Sequence, residues 1–443
     1  MKRHKIRIAA LLVACVVSIS PNAIAEVPMI HLAGTPEEIG TKWGRINKEI
    51  ILRDLDAAYL KPAAAAGISK ETLIERSAAY VRIAAKIAPH WLEQTGAIAR
   101  AVDVPEDLFL AFYGGLSRKR FLHECTSYAV SRDRTRDGVI LFHKTRDNVA
   151  RPQAVCIMDS SLEGINKFIG VTDVSFLDGL SMMVNEKGLA GAGDYPANRK
   201  KDSSTLHLEP AEPRYRGLSG GAILRHIAER ASSSAEALAI IEDFVAKGYY
   251  SGGKVGGKHW LFVDREGVIL EVCSNEKYVA SKMHSKTVYF SRLNRSAAAK
   301  RLREAGGPVD FHLFHNVARD PSICLGSSIS GMTVEIDPTH PELFTCAWVS
   351  LPVKAVSFPL LMGQTSTPAC LLNGEAYSLG TKTKRNTRLW EDTEQRMRAS
   401  KELLKEKIAA ELPADDSEKT AQALNKWSEL QAGMLIELLQ ESR

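Results

Sequence analysis

Apolar residues recur every three or four positions near the start of the chain, and this spacing predicts mostly helix over residues 30–120. Thr35-Pro36-Glu37-Glu38 joins an N-cap threonine to a first-turn proline and a capping-box glutamate, so a helix is predicted to begin there. One face of this helix would carry Ile39, Trp43, Ile46 and Ile50. Gly40 and Gly44 lie one turn apart, and we expect them to let another element pack closely.

Between residues 125 and 375 the pattern changes to short apolar runs separated by turn residues. Tyr128–Val130 and Val139–Phe142 are predicted strands on either side of a polar turn. Two further hairpins are predicted, with turns at Asn185–Gly188 and Asp264–Gly267. Blocks of hairpins with helices between them predict an α+β fold whose sheets are largely antiparallel.

Two later regions return to helical spacing. Ala222–Ala246 is predicted to be helical, with Ser233 and Glu236 as a capping box inside it. Leu389–Leu412 and Ser417–Leu439 are two strongly charged predicted helices near the end of the chain. Because charged residues dominate them, we expect a solvated helical appendage.

The first 25 residues have the pattern of a secretory signal. A basic segment from Lys2 to Arg7 precedes the mostly apolar residues Ile8–Ser20, and Ala23-Ile24-Ala25 supplies the small residues of a cleavage site. The mature chain is then predicted to begin at Glu26, in the periplasm or outside the cell. The apolar run is too short for a stable membrane span. A lipoprotein signal cleaved before Cys15 is the rival interpretation, and it ranks second because its apolar stretch would be shorter.

Composition excludes several classes of protein. A chain of 443 residues with 45% hydrophobic and 25% charged residues is ordinary for a globular protein, which excludes chain-wide disorder, collagen and coiled coil. The formal charge is +6, and four of the basic residues lie in the leader. The remaining charge is small and does not indicate a nucleic-acid partner. The six cysteines after the leader form no CxxC pair, which speaks against a zinc ribbon. Disulfides and buried free thiols both stay open.

The candidate chemistry lies in the first predicted hairpin. Glu124-Cys125-Thr126-Ser127 opens one strand, and the returning strand ends in Lys144-Thr145-Arg146-Asp147. This pair resembles the start of the catalytic chain in N-terminal-nucleophile (Ntn) cysteine hydrolases, such as penicillin acyltransferases, acid ceramidase-like amidases and choloylglycine hydrolases. In that family a Cys-Thr-Ser strand opens the catalytic chain, and the returning strand ends in Gly-Arg/Lys-Asn-x-Asp. Thr35–Gly44, Asn185–Ala190 and Phe262–Glu271 resemble further family segments in the same order.

The resemblance implies both a fold and a mechanism. The fold would be a four-layer αββα sandwich. Cys125 would be the nucleophile, and cleavage of the Glu124–Cys125 bond would give it a free α-amine as its base. Lys144 would favour the thiolate, and Asp147 would hold the new amine. The resemblance implies no cofactor and no metal.

The same resemblance makes Asp194 and Arg292 the candidate substrate-binding or oxyanion residues. Asp194 stands where relatives place an asparagine, which would put an anion near a developing oxyanion. Arg292 corresponds to the end of the family's Thr-Asn-His strand. Lys144 replaces an arginine, and the two side chains are not interchangeable at a forked contact. The oxyanion hole is therefore the part of the site that the resemblance specifies least.

Two other motifs compete with this interpretation. Gly217-Leu218-Ser219-Gly220-Gly221 matches a nucleophile elbow, but no buried strand precedes it, so Ser219 is predicted to start a helix. Gly252–Lys258 resembles a phosphate loop, but His259 replaces the required Ser or Thr. The histidines show no metal-binding spacing, so no metal site is predicted.

The sequence therefore predicts an exported cysteine amidohydrolase or acyltransferase that cleaves a linear amide through a thioester on Cys125. Its substrate would be a small molecule or peptide-like amide. The predicted segments are a signal peptide (1–25), a helical segment (26–124), a catalytic core (125–380) and a charged helical extension (381–443). A dipeptidase-like enzyme of the same fold and a non-catalytic binding protein that retains the fold are the alternatives. Oligomeric state is left open.

Overall fold

The computed structural model describes residues 28–111, 125–148, 151–195, 206–208, 217–252, 256–285, 287–291, 296–350, 356–383, 386–411 and 416–442. The predicted signal peptide, Glu124 and Arg292 lie outside these residues.

The chain alternates blocks of helices with blocks of strands. The strands are β1 (Met29–Gly34), β2 (Thr126–Val130), β3 (Ile140–Asp147), β4 (Gln153–Ser160), β5 (Phe168–Asp173), β6 (Phe176–Asn185), β7 (Ala190–Asp194), β8 (Lys258–Val263), β9 (Ile269–Ser274), β10 (Val279–His284), β11 (Val288–Phe290), β12 (Ser328–Ile336), β13 (Cys346–Ser350) and β14 (Phe358–Leu361). The helices are α1 (Pro36–Leu55), α2 (Lys61–Ala65), α3 (Lys70–Ile87), α4 (Pro89–Val102), α5 (Glu106–Leu110), α6 (Gly220–Arg230), α7 (Ser234–Ala246), α8 (Ala297–Arg303), α9 (Phe311–Val317), α10 (Pro341–Phe344), α11 (Ala369–Leu372), α12 (Glu375–Lys382), α13 (Thr387–Glu411) and α14 (Ser417–Glu441).

The strands form two sheets. The large sheet has the order β1-β4-β5-β6-β7-β8-β9-β10, and the small sheet has the order β11-β2-β3-β12-β13-β14. Neighbouring strands within these described sheets run antiparallel, except that β1 and β4 are parallel. The predicted α+β class with largely antiparallel sheets is confirmed.

The two faces of the large sheet bury different cores. Because side chains alternate along a strand, Val155 and Ile157 of β4 enter a core shared with the small sheet. Ala154, Cys156 and Met158 enter a second core under α1, α3, α4, α6 and α7. The small sheet in turn packs its other face against helices from the second half of the chain, including α9, α13 and α14. The layers are therefore helix, sheet, sheet and helix, which is the predicted αββα sandwich.

The predicted start of α1 is confirmed in detail. The Thr35 side chain accepts a hydrogen bond from the Glu38 amide, and the Glu38 carboxylate accepts one from the Thr35 amide. A side chain at Gly40 would overlap the backbone carbonyl of Gln94 on α4, and one at Gly44 would lie 2.7 Å from the Ala101 methyl. The two glycines therefore let α1 pack closely on α4, as expected.

Two boundaries differ from the sequence-based expectation. β1 is a strand inside the region predicted to be mostly helical, and it pairs in parallel with β4, where Ile30 lies opposite Cys156. A run of six residues is too short for periodicity to separate strand from helix. The predicted helix Ala222–Ala246 is two helices, because Ala231 leaves the helical region and Ser233 caps α7. The capping signal was correct, and it marks a break.

The C-terminal helices are solvated only on their outer faces. Trp390 and Met397 of α13, and Leu424 and Leu435 of α14, are buried in the core of the small sheet. Most other positions of these two helices are charged or polar, so their overall composition does not reveal the narrow apolar face. The expected appendage is therefore the outer helical layer of the sandwich.

Two smaller expectations concern the thiols and the membrane. The six cysteines within the described residues form no disulfide with one another, which favours the alternative of reduced thiols. In the described part of the chain, no helix has both the length and the apolar character needed to cross a bilayer.

Candidate active site

The first hairpin of the small sheet places the predicted site residues on adjacent strands. β2 pairs with β3 so that Thr126 lies opposite Thr145 and Ser127 lies opposite Lys144. Ser127 and Lys144 share the face that meets the large sheet, because Lys144 reaches the β7 residues Gly193 and Asp194. Cys125 immediately precedes β2, at the end of the sandwich where these residues converge.

Lys144 and Asp194 form a buried ion pair between the sheets. Lys144 is 1% exposed and Asp194 is 0% exposed. The Lys144 Nζ donates to Asp194 Oδ1 at 2.6 Å and to the Gly193 carbonyl at 2.7 Å. Burial disfavours the Asp194 carboxylate, but the Lys144 charge and the hydrogen bonds from Lys144 and Ser291 together outweigh it and hold the pKa of Asp194 below its ordinary value.

The second oxygen of Asp194 is also engaged. Ser291, which follows β11, donates its Oγ to Asp194 Oδ2 at 2.6 Å. The same Oγ accepts the amide of Ser127 at 3.1 Å. Both carboxylate oxygens therefore serve as acceptors inside the protein, which orients Asp194 towards Lys144 and Ser291.

The Cys125 thiol lies against the end of β3. The residue is 7% exposed, and its Sγ lies 3.7 Å from the backbone carbonyl oxygen of Asp147. The Asp147 carboxylate accepts a hydrogen bond from the Ser328 hydroxyl at the start of β12. Polar groups therefore border the sulfur at this end of the sandwich, so it does not lie in packed hydrocarbon alone.

Lys258 is a further cation at this site, and the sequence analysis did not predict it. It begins β8, and its Nζ lies 3.4 Å from the Gly193 carbonyl that also binds Lys144. Burial and the neighbouring Lys144 ammonium lower the pKa of Lys258 to about 8, against the attraction of Cys125 and Asp194. From sequence, a lysine just before an apolar strand looks like an ordinary strand end.

Arg146, near the end of β3, links the hairpin to β4 and β5 of the large sheet. It donates to Gln153 Oε1 at 3.0 Å and lies 2.8 Å from Asp173 Oδ1. Arg151 binds the second oxygen of Asp173 at 2.8 Å. Asp173 therefore bridges two arginines, and their attraction outweighs burial and lowers its pKa. This arrangement ties β3 to β5 beside the candidate nucleophile.

The structure gathers Cys125, Lys144, Asp147 and Asp194 at one end of the sandwich, and their catalytic roles stay predictions. Glu124 and Arg292 lie outside the described residues. Ser219 is the N-cap of α6 and accepts the Ala222 amide, as the interpretation against a nucleophile elbow expected. No group of three or more His, Cys, Asp or Glu residues in the described part of the chain is placed to hold a metal ion.

The arrangement is chemically suited to nucleophilic attack by a thiol. A thiol needs a neighbour that can take its proton or stabilise its charge. The Asp147 carbonyl lies against the Cys125 sulfur at the end of the paired strands β2 and β3. Lys258 from β8 acts electrostatically on the thiol, and its pKa of about 8 is close to that of an ordinary thiol.

Comparison with known proteins gives distant structural likenesses only. No family model and no curated protein matches the chain. Penicillin V acylase from Agrobacterium tumefaciens is 13% identical over 54% of this chain and 86% of its own, with a TM-score of 0.35. Two variants of conjugated bile acid hydrolase from Clostridium perfringens are 13% identical over 54% of this chain and 92% of theirs, with TM-scores of 0.32. The αββα architecture therefore rests on the strand pairing and packing described above.

Proposed function

We propose that the protein is a cysteine amide hydrolase or acyltransferase of the Ntn type, with Cys125 as its nucleophile. The carrying observation is the position of Cys125 immediately before β2, with the Asp147 carbonyl 3.7 Å from its sulfur and Lys258 within electrostatic reach of the thiol. The ordered sequence motifs described above support the same family.

The reaction would proceed through a thioester. The Cys125 sulfur attacks the carbonyl carbon of a linear amide, the amine leaves, and water or a second amine takes the acyl group. Hydrolysis is the default, because water is always present. Asp194 would act as the counter-ion of Lys144, because its carboxylate has no proton to donate to an oxyanion. Arg292 remains a proposed oxyanion or substrate-binding residue.

Chain cleavage at Glu124–Cys125 is part of the proposal. The Cys125 thiol would attack the Glu124 carbonyl carbon and displace the Cys125 nitrogen, and hydrolysis of the resulting thioester would release residues 26–124 from residues 125–443. The new α-amine of Cys125 would have a pKa near 8, and Asp147 would hold it. We also propose that the protein is exported to the periplasm or beyond, because of the signal pattern in residues 1–25.

Intact-mass analysis of the purified protein, wild type beside Cys125→Ala, tests the proposal. We expect the wild type to give two fragments with Cys125 at a new N-terminus, and the variant to remain one chain. Amide cleavage is followed in parallel by amine release from N-acyl amino acids of graded acyl length and from dipeptides. Turnover should fall by at least about a thousandfold in Cys125→Ala, since removal of a nucleophile has effects of this order or larger.

The matched control is Cys370→Ala, which changes a free thiol on α11, in the outer helical layer that packs on the small sheet. It should retain both processing and turnover. Preference for dipeptides would favour the dipeptidase-like alternative. An uncut wild-type chain without thiol-dependent turnover on any of these amides would overturn the enzymatic proposal and favour a binding protein.

A further inference from the structure

Two buried histidines meet where the small sheet packs against the outer helices. They are His143 on β3 and His315 on α9. The Thr333 hydroxyl of β12 lies between the two rings, 2.8 Å from His143 Nδ1 and 2.7 Å from His315 Nδ1. One hydroxyl therefore joins a strand histidine to a helix histidine.

The other ring nitrogens extend this connection in both directions. His143 Nε2 lies 2.9 Å from the Thr145 hydroxyl on the same strand. His315 Nε2 lies 2.9 Å from the Ser357 hydroxyl and 3.4 Å from Glu394 Oε1 on α13. The Ser357 amide also donates to Glu394 Oε1, at 2.8 Å. A continuous chain of polar contacts therefore runs from β3 through β12 and α9 to α13.

Glu394 fixes the direction of this chain. Its two carboxylate oxygens accept hydrogen bonds from the Arg319 guanidinium, so the group is ionised and acts only as an acceptor. A bare Nε2 facing this anion would be repelled, so the His315 proton is on Nε2, where it donates to Ser357. His315 Nδ1 is then an acceptor.

The remaining protons follow from that one. Because His315 Nδ1 is bare, the Thr333 hydroxyl donates to it, and the Thr333 oxygen accepts from His143 Nδ1. His143 Nε2 is then bare and accepts from the Thr145 hydroxyl. His143 is therefore the Nδ1–H tautomer, His315 is the Nε2–H tautomer, and both rings are neutral.

Burial favours the neutral form of both rings. It is the main cause that lowers the pKa of both histidines, and the pKa of His143 lies well below its ordinary value. The Arg319 cation acts in the same direction on both rings, whereas Glu394 favours the charged form of His315. Burial outweighs this attraction, because the pKa of His315 is still lowered.

Two further titratable groups face the pair. His312, one turn before His315 on α9, also disfavours the His315 imidazolium, and it lies 3.7 Å from Glu391 of α13. The Tyr128 ring of β2 lies 5.0 Å from the His143 ring, and burial raises the pKa of Tyr128, so this ring is neutral. Among the described groups that act on the two histidines, the α13 carboxylate alone favours an added proton.

We propose that this chain is an acid-sensitive lock between the small sheet and the outer helices. At neutral pH it ties β3 and β12 to α9, and α9 to α13. A proton added to either ring leaves a buried imidazolium near Arg319 and breaks the order of donors and acceptors. Thr145 lies opposite Thr126, the residue after Cys125, so opening the lock removes a support from the strand pair beside the candidate nucleophile. The inference does not rest on the proposed function.

The expected pH dependence follows from proton linkage. A histidine whose pKa is lowered in the folded protein takes up a proton when its surroundings open, so opening becomes easier below the ordinary histidine pKa of about 6.5. Each such histidine should increase opening roughly tenfold per pH unit below that value. We expect hydrogen exchange of the α9 and β12 amides, corrected for intrinsic rates, to accelerate about tenfold or more from about pH 6 to about pH 5.

The first test reads the tautomers by ¹⁵N NMR of histidine-labelled protein, in which protonated and bare ring nitrogens give separate signals. His143→Gln and His315→Gln assign the signals. We expect Nδ1–H at His143 and Nε2–H at His315 at neutral pH. Thr333→Val removes only the central hydroxyl, so it should move the His143 proton to Nε2, where the Thr145 oxygen accepts it, and leave the His315 tautomer unchanged.

The second test compares acid opening by hydrogen exchange in the same proteins. His315→Gln should reduce the acceleration between about pH 6 and about pH 5 by roughly tenfold, because one proton fewer is taken up. The matched controls are His312→Gln, a histidine outside the chain on the same helix, and Thr345→Val, a buried hydroxyl outside it. Both should keep the wild-type tautomers and acid response. Thermal unfolding at neutral pH verifies that each variant is folded.

A charged ring or the opposite tautomer in the wild type at neutral pH would overturn the inference. So would an unchanged His143 tautomer in Thr333→Val, or an acid response that His143→Gln and His315→Gln both leave intact. If a variant does not fold, the wild-type tautomers still decide. None of these measurements uses amide turnover, so each result leaves the proposed function to its own test.

Discussion

Two buried ionic clusters lie on opposite faces of the large sheet, and they differ in one respect that matters. The helix-layer cluster joins Glu229 and Arg225 of α6 to His90, Trp91 and Gln94 of α4. The inter-sheet cluster joins Lys144 and Asp194 to Ser291, with Lys258 beside them. Both are buried, so burial of charge alone does not identify a site.

The helix-layer cluster is balanced. Glu229 accepts bonds from the Arg225 Nε at 2.7 Å and from the Trp91 Nε1 at 2.9 Å, and the His90 ring lies 3.0 Å away. Arg225 also donates to Gln94 at 2.6 Å. One cation meets one anion among aromatic rings, which makes a rigid support for the layer.

The inter-sheet cluster carries more positive charge than its carboxylate neutralises. Lys144 and Lys258 both lie near Asp194, and the Cys125 thiol lies within the electrostatic reach of Lys258. An excess of one charge beside a nucleophile shifts proton equilibria, and a balanced pair fixes geometry. The comparison teaches that imbalance, together with a nucleophile, separates a candidate site from a structural ion pair.

The largest expected effect is on the balanced cluster. Glu229→Ala leaves the Arg225 guanidinium buried without its carboxylate, and should lower the free energy of unfolding by about 3–5 kcal/mol. Amide turnover per folded molecule should not change. Urea unfolding measures the first quantity, and active-site titration normalises the second. Glu242→Ala, an exposed glutamate on α7, should change the unfolding free energy by no more than about 0.5 kcal/mol. A large loss of turnover per folded molecule in Glu229→Ala would contradict the distinction between a structural ion pair and the candidate site.

Acid should dismantle the same cluster. Burial raises the pKa of Glu229, but the Arg225 guanidinium and the His90 hydrogen bond outweigh it and lower the pKa from 4.5 to about 2. A depressed carboxyl pKa gives stability that is complete above pH 4.5 and is lost as the pH falls through about 2. The contribution is about 3 kcal/mol. Urea unfolding at several pH values should show a steeper acid loss in the wild type than in Glu229→Gln. Parallel curves would contradict this assignment.

Replacing Asp194 by a neutral side chain of the same shape should change both turnover and the free energy of unfolding. Asp194→Asn removes the counter-ion of Lys144 but keeps an oxygen for its hydrogen bond, so the unfolding free energy should fall by about 2 kcal/mol. Loss of the anion also disfavours the Lys258 ammonium, so the pH dependence of turnover should move to lower pH through the charge of Lys258 beside Cys125. pH–rate profiles of the two proteins measure the shift. An unchanged profile would show that Asp194 does not act on Lys258.

The smallest expected effect concerns the hydroxyl that orients Asp194. Ser291→Ala removes the bond to the carboxylate and the acceptor of the Ser127 amide, at a cost of about 1 kcal/mol. Turnover should fall more than stability alone explains, because Asp194 would no longer be held towards Lys144. Ser281→Ala, at an exposed position of β10, is the comparison variant for unfolding and for turnover. Equal behaviour of the two variants would remove Ser291 from the site.

Much of the local structure was predictable because its signals are short in range. The capping box at Thr35 and the hairpin turns at Asn185 and Asp264 lie within a few residues of the elements they specify. The pairing of the Cys125 strand with the Lys144 strand follows from one turn, so these two residues could be placed together from sequence. β1 could not, because its partner β4 lies more than a hundred residues away.

The sequence by itself determined the hairpin that carries Cys125, Lys144 and Asp147, since neighbouring strands and a turn are encoded in adjacent residues. Only the tertiary structure decided which groups face that hairpin. Asp194 and Lys258 come from β7 and β8 of the large sheet, and they lie beside Lys144 because the two sheets pack face to face. Ser291, which follows β11 of the small sheet, reaches Asp194 across the same interface. The physical reason is that charge interactions depend on distance through space, and hydrophobic packing of the sheets sets that distance without regard to separation along the chain.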